Sequence, residues 1–278
     1  MGSILKYVCI LASLLSLGVS IGAQDWDERM DRIDELHFAE RHSEALDVAE
    51  QSLENARSED ERAAALWRLA RARLNRVDLG LYAGTVSEDE AREALERGVE
   101  EAREAVEIDG ELARAFFWRG ANRAKNGELR GVLNSLFMAG DVRDDALRAI
   151  ELDPTYSNSY YMLGQLYRRV PGSPISFGDR QEAVSYSREA VRRHEEELDS
   201  DAVPVRFWDY YVKLADHLRA RGWSASRRSR SDSDADADIS DREEAEELLE
   251  YVISNLEMLD SRTIRQDRTL EEARAMAE

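Results

Sequence analysis

Apolar residues recur every three or four positions along the chain from Gln24 onward, which is the spacing of amphipathic α-helices. No stretch alternates apolar and polar residues over the length of a β-strand. The pattern therefore predicts an all-α protein. Its first predicted helix has an apolar face formed by Trp26, Met30, Ile33 and His37.

The predicted helices come in pairs whose packing residues repeat. The first helix of a pair has an aromatic residue, a leucine and a small residue at fixed spacing, as in Tyr160, Leu163 and Gly164. The second helix has small residues that let two helices approach closely. Equivalent second-helix positions are Ala45, Gly98, Val142, Ala183 and Ala245. This arrangement is typical of the tetratricopeptide repeat (TPR) and predicts an α-solenoid of TPR-like helix pairs.

Three inserted segments make the predicted repeats longer than a standard unit of about 34 residues. GELRGVLNSLFMAG (127–140) predicts one or two extra helical turns, and PGSPISFG (171–178) predicts an ordered loop. Residues 224–240 are rich in Ser, Arg and Asp without apolar periodicity, and we expect a disordered excursion there. A last short helix is predicted over Leu270–Ala277.

The first 23 residues differ from the rest. Lys6 precedes an apolar run that ends in small residues, which is the pattern of a secretory signal peptide cleaved after Ala23. A retained membrane anchor is the alternative. Cys9 lies too early in the run to serve as a lipid-anchor cysteine. We therefore expect an exported, periplasmic helical domain over residues 24–278, without a lipid anchor or a cysteine.

Charge and motifs exclude several functions. The chain has 38 Lys and Arg against 58 Asp and Glu, a net charge of −20, which repels nucleic acids and anionic membranes. It contains neither a phosphate-binding glycine loop nor a dinucleotide-binding glycine motif. His37 and His42 are five residues apart and so do not share one helix face. We expect no cofactor, no metal site and no enzymatic activity. A periplasmic enzyme would need a polar constellation that the sequence does not show.

In a TPR-like solenoid the first helices line the concave face. Their register predicts that one set of side chains points inward, with Phe177 in the inserted loop at one end of the groove. The predicted partner-binding or ligand-binding residues are Trp67, Arg71, Phe117, Tyr161, Gln165, Arg168 and Asp216. These side chains favour a groove for an apolar ligand or for a partner's helix or loop. The alternative is that the aromatic rings belong to the core. If they line a groove, replacing Phe117 or Tyr161 by alanine lowers binding and leaves the fold intact.

The segment Leu112–Val191 has more specific features. Phe116-Phe117-Trp118, the inserted GELRGVLNSL and the loop PGSPISFGDRQEAV together resemble the T component associated with TRAP (tripartite ATP-independent periplasmic) transporters. The resemblance implies a non-enzymatic accessory protein whose partners are a periplasmic substrate-binding protein and a small hydrophobic ligand. It also leaves a homo-oligomer open. The alternative function is a general cell-envelope TPR scaffold for protein–protein assembly.

Overall fold

The structure, a computed structural model, describes residues 25–231 and 238–278, without the side chains of Val132 and Leu133. The predicted signal peptide lies outside the described residues. The helices of the described part are α1 (25–38), α2 (His42–Glu54), α3 (Glu59–Tyr82), α4 (Glu88–Ile108), α5 (Ala113–Arg130), α6 (Val132–Leu152), α7 (Ser157–Arg169), α8 (Arg180–Asp199), α9 (Asp209–Arg221), α10 (Ala225–Arg228), α11 (Asp241–Glu257) and α12 (Ile264–Ala277).

Ten of these helices follow the predicted pairing. The pairs are α1–α2, α3–α4, α5–α6, α7–α8 and α9–α11, with the short α10 inside the last pair, and successive pairs pack against each other. The first helices α3, α5, α7 and α9 also contact one another in sequence. We call the side of the solenoid that these four helices form the inner surface. The prediction of an all-α, TPR-like solenoid is confirmed.

Small residues set the closest helix contacts, as the repeat pattern predicts. The five equivalent second-helix positions, from Ala45 to Ala245, are all buried. At Gly164 on α7, an added Cβ would lie 2.4 Å from Ser187 Oγ and 3.3 Å from the carbonyl oxygen of Ala183, both on α8. Only a residue without a side chain permits this approach of α7 to α8.

The first inserted segment differs in detail from its prediction. Its residues lengthen α5 to Arg130 and start α6 at Val132, instead of forming a separate helix. Gly131 separates the two helices with φ +94°, a conformation that glycine adopts at little cost. The second insertion is the loop predicted between α7 and α8. It ends at Asp179, whose carboxylate caps α8 by accepting hydrogen bonds from two backbone N–H groups.

The expectation of disorder over 224–240 does not hold for residues 224–231 and 238–240. Arg228 on α10 is 3% exposed, donates a hydrogen bond to the carbonyl oxygen of Ile239 and forms an ion pair with Glu244. Arg221 forms a two-bond ion pair with Asp241, which is fully buried. Buried charges with matched partners hold this polar segment in place, and low-complexity composition does not reveal such pairs. Residues 232–237 lie outside the described part.

Candidate functional site

Helix α12 contacts α3 and α9, the first and the last of the four helices that form the inner surface. It begins at Ile264, six residues earlier than predicted, because Thr263 and Gln266 form a capping box. The carboxylate of Glu40, in the turn between α1 and α2, accepts hydrogen bonds from Thr263 Oγ1 at 2.6 Å and from the backbone N–H of Arg265 at 3.2 Å. A carboxylate at a helix N-terminus is favourable, since the backbone N–H groups there are unpaired. Residues from the first helix pair therefore fix the start of the last helix.

The next turns of α12 contact α3. Asn75, Asp78 and Tyr82 are three and four residues apart and so lie along one face of α3. The hydrogen bonds join Arg265 to Asn75 (3.0 Å), Arg268 to Asp78 (2.6 Å) and Tyr82 to Glu271 (2.6 Å). This contact spans about 190 positions of sequence, so it closes the solenoid from its C-terminal end back to its second helix pair.

Asp78 is the centre of this contact. Its second carboxylate oxygen accepts a hydrogen bond from Lys125 Nζ on α5, at 2.6 Å. Burial alone would raise the pKa of Asp78, but the positive charges of Lys125 and Arg268 outweigh it and hold the pKa well below its usual range. The carboxylate is therefore ionised across the physiological pH range and joins α3, α5 and α12.

The other end of α12 contacts α9. Lys213 pairs with Glu272, and Arg219 donates a hydrogen bond to the carbonyl oxygen of Met276. Among the apolar side chains of α12, only Leu270 and Ala273 are fully buried, at 3% and 0% exposure. Both belong to the hydrophobic core that includes α9 and α11, so apolar packing holds α12 on that side, whereas hydrogen bonds and ion pairs hold it on the α3 side.

Open space surrounds α12. A cavity of about 40 Å³, lined in part by His42, Phe207 and Arg265, is large enough for about one or two water molecules. Burial and the charges of Arg265 and Arg71 lower the pKa of His42 to about 3. Open clefts of about 570 and 370 Å³ lie along α12, and many of their lining side chains are charged. These clefts do not have the mostly apolar lining of a site for a hydrophobic ligand.

Three predicted groove residues are core residues. Trp67 and Phe117 are 9% and 5% exposed, and the Phe117 ring makes edge contacts with the rings of Trp118 and Tyr156. Arg71 is buried and pairs with Asp34 on α1. The groove assignment of these three residues is corrected. The first helices contact one another closely enough to enclose Trp67 and Phe117, and α1 covers Arg71.

The other predicted inner-surface residues are half-buried and lie on α7 and α9. Tyr161 stacks on Tyr210, with ring centroids 4.4 Å apart, and Arg168 pairs with Asp216 across the two helices at 3.2 Å. Gln165, one turn from Tyr161, is half-buried. The structure brings these side chains to neighbouring positions, and their part in binding stays a prediction.

Phe177 lies elsewhere. Its ring contacts the ring of Tyr167 on α7 and the guanidinium of Arg143 on α6, at 5.4 and 4.4 Å between centres. These neighbours belong to the side of α7 that faces α6 and α8, since Tyr167 also stacks on Tyr186. The expectation that Phe177 ends the groove is therefore corrected: the inserted loop packs on this outer side, away from the residues that contact α12.

A buried Ser–His pair has the geometry of a catalytic dyad without its accessibility. Ser187 Oγ and His217 Nδ1 are 2.7 Å apart, but the two residues are 2% and 1% exposed. Burial lowers the pKa of His217 to about 4, so the imidazole is neutral near pH 7. The hydrogen bond links α8 to α9 below the surface, where no substrate reaches it.

Within residues 25–231 and 238–278, no group of three or more His, Cys, Asp or Glu side chains is arranged to hold a metal ion. None of the helices in the same ranges is both long and apolar enough to span a membrane.

The residues that hold α12 were not predicted from the sequence. The predicted last helix began at Leu270, after Arg265 and Arg268. The available signals were the polar residues at helical spacing on α3 and the capping box at Thr263. Neither signal indicates which surface α12 contacts.

Comparisons with known proteins give a family and a fold. The family model described as "Regulator of microtubule dynamics protein 1-3" matches residues 29–172. The crystal structure of TTC0263, a thermophilic TPR protein of Thermus thermophilus, is similar with a TM-score of 0.57 and 14% identity, over 89% of this chain and 98% of that one. The crystal structure of MamA has a TM-score of 0.43 and 15% identity, over 79% and 95% of the two chains. No curated protein sequence matches the chain. None of these findings supports the resemblance to the TRAP T component.

Proposed function

Because this chain belongs to the family described as regulator of microtubule dynamics protein 1-3 and has a TPR-like fold, we propose that it is a protein-interaction scaffold. Its partner binds on the inner surface of the solenoid. TPR-like folds generally act through protein–protein contacts, and helix-in-groove binding is a common mode of peptide recognition.

One observation carries this proposal: the inner surface already holds an α-helix. Glu40 caps the N-terminus of α12, Asp78 binds its first turns and Lys213 binds its last turns. A surface with these groups recognises the direction of a helix as well as its charges. The role needs no catalytic group, which agrees with the burial of the Ser187–His217 pair.

A narrower proposal is a role in transport, in which the partner is a periplasmic substrate-binding protein and a small hydrophobic ligand is transferred. It rests on the motif resemblance over Leu112–Val191 and on the signal-peptide pattern of the first 23 residues. The family and fold comparisons favour the general scaffold. Export is itself a proposal. N-terminal sequencing of the protein from its native host tests it, because cleavage after Ala23 leaves Gln24 as the first residue.

Site-specific photo-crosslinking in the native host tests the scaffold function. A crosslinking amino acid is placed at Asp216 on the inner surface and, in separate chains, at Phe137 and Ile175, which are 84% and 71% exposed in the two insertions. Arg97, on the outer face of α4, is the control position. We expect a discrete protein adduct from Asp216 and none from Arg97.

The identity of the adduct separates the two functions. A solute-binding protein favours the transport role, and any other single protein favours the general scaffold. If none of the three test positions gives an adduct above the level of the control, the scaffold proposal is wrong.

A further inference from the structure

The contact between α12 and the inner surface has the composition of a reversible interface. The contact of α12 with α3 consists of hydrogen bonds and ion pairs, while the two fully buried apolar side chains of α12, Leu270 and Ala273, join the hydrophobic core that includes α9 and α11. Polar contacts at a partly solvated surface are individually weak and are screened by salt. A free helix of this length is also marginal in water, so α12 depends on the surface for its order.

The connection to α11 permits movement. Residues 258–263 form no helix, and Met258, Leu259 and Ile264 are 73%, 39% and 47% exposed. Helices α9 and α11 approach α12 closely, whereas α3 is reached through long side chains, with the open clefts of about 570 and 370 Å³ beside α12. Undocking α12 from α3 therefore disrupts few close backbone contacts.

The groups that hold α12 define the chemistry of its binding site. Asp78 and Asn75 accept hydrogen bonds from arginine side chains one turn apart, and Tyr82 and Lys213 bind two successive carboxylates further along. Beside these polar groups, Leu270 and Ala273 pack into the hydrophobic core that includes α9 and α11. A matching helix has two arginines three residues apart, then a leucine, two acidic residues and a small residue.

From these observations we infer that α12 is a displaceable occupant of the inner surface, and that the partner is an α-helix with this order of basic, apolar and acidic residues. The inference rests on the proposed scaffold function and names its binding surface. The partner helix and α12 compete for Asp78, so the affinity measured for a partner equals the intrinsic affinity multiplied by the fraction of chains in which α12 is undocked.

A peptide with the sequence of residues 261–278, labelled with a fluorophore, provides the probe. Its binding to the full-length chain is measured by fluorescence anisotropy for the wild type, for Ala273→Asp and for the matched control Ala275→Asp. Both variants add the same charge to α12, but Ala273 is fully buried against the solenoid and Ala275 is exposed. The surface that receives the peptide is unchanged in all three chains.

We expect the peptide to bind the Ala273→Asp chain at least about tenfold more tightly than the wild type or the control, because the weakened α12 vacates the surface more often. The gain should disappear with an Arg268→Ala peptide, or when Asp78→Asn is added to the Ala273→Asp chain. Equal affinity for the three chains would overturn the inference. If circular dichroism shows that Ala273→Asp does not fold, a Leu270→Ala chain replaces it with the same expected results.

Two other outcomes are distinguishable. Size-exclusion chromatography of the wild-type chain tests whether α12 of a second copy is the natural occupant: a dimer that the peptide dissociates would overturn the assignment to a separate partner. Failure of peptide binding together with protein adducts in the crosslinking experiment would leave the scaffold function in place and move its binding surface to the insertions.

Discussion

Different forces stabilise the interior of the helix pairs and the contact that holds α12. Around Phe117, Trp118 and Tyr156, aromatic rings pack edge to face and exclude water. Around Asp78, two cations meet one carboxylate at a surface flanked by open clefts. Apolar packing depends little on salt, whereas partly exposed ion pairs weaken with it. The solenoid is therefore a frame held mainly by apolar packing, whereas the contact of α12 with α3 depends on charge.

The largest effect is expected in the frame. Phe117→Ala should lower the free energy of unfolding by about 3–5 kcal/mol, because it removes a buried ring and leaves a cavity. Phe137→Ala is the matched control; its ring is 84% exposed, and its change should stay within about 0.5 kcal/mol. Urea titrations followed by circular dichroism measure both. Similar values for the two variants would mean that the Phe117 ring is not core.

A second test of the frame uses glycine positions. Gly164→Leu should cost about 2–3 kcal/mol, because its side chain would enter the backbone and Ser187 of α8. Gly140→Leu, also within a helix, should be neutral or slightly stabilising, since no atom lies within 4 Å of its added Cβ and leucine favours helix. Thermal unfolding of the two variants should shift in different directions, and a loss of stability in both would contradict the close α7–α8 contact.

Acid should destabilise the region beside α12. His42 has a folded-state pKa of about 3, below the unfolded value of about 6.5, so its neutral form is favoured by folding. Its contribution is fully present above pH 6.5 and is lost as the pH falls toward 3, by about 1–2 kcal/mol between pH 6.5 and 5. His42→Gln should reduce the slope of stability against pH in this range. An unchanged slope would mean that His42 is not kept neutral.

The smallest global effect is expected at Asp78. Asp78→Asn removes the charge that Lys125 and Arg268 share, and should lower the free energy of unfolding by about 1 kcal/mol while increasing proteolysis within 258–278. Glu246→Gln, which removes the partner of the exposed Arg242, is the control and should change neither. Protection of α12 equal to that of the wild type would show that Asp78 does not hold it.

The helix pairs were well predicted from the sequence, because a packing contact that recurs in each repeat requires similar residues at regular spacing. The five equivalent residues from Ala45 to Ala245 indicated the second helix of each pair, since a close helix contact restricts the size of the side chain at a fixed position. The same periodicity misassigned Trp67 and Phe117. Both residues have the register of an inward-facing residue. Their burial depends on the distance between the first helices of neighbouring pairs, and the sequence of a single repeat does not determine that distance.

The site was less predictable for a physical reason. The hydrogen bonds of Glu40, Asn75 and Tyr82 with α12 join positions about 190 or more residues apart. A chain this rich in charge offers many partners for each carboxylate. Which pairs form depends on the curvature of the complete solenoid. The ordered Arg221–Asp241 pair was missed in the same way, because its two residues flank a segment whose composition indicates disorder.

Hydrogen exchange measured by mass spectrometry on the full-length chain tests the central claim most directly. At low salt, peptides covering α12 (264–277) should exchange faster than those covering α7 and α9. Raising the salt to about 1 M should speed exchange in α12 further and change α7 and α9 much less, because the α12 contact depends more on charge than the packing of α7 on α9 does. Exchange of α12 that is as slow as that of α9 at both salt concentrations would contradict the account.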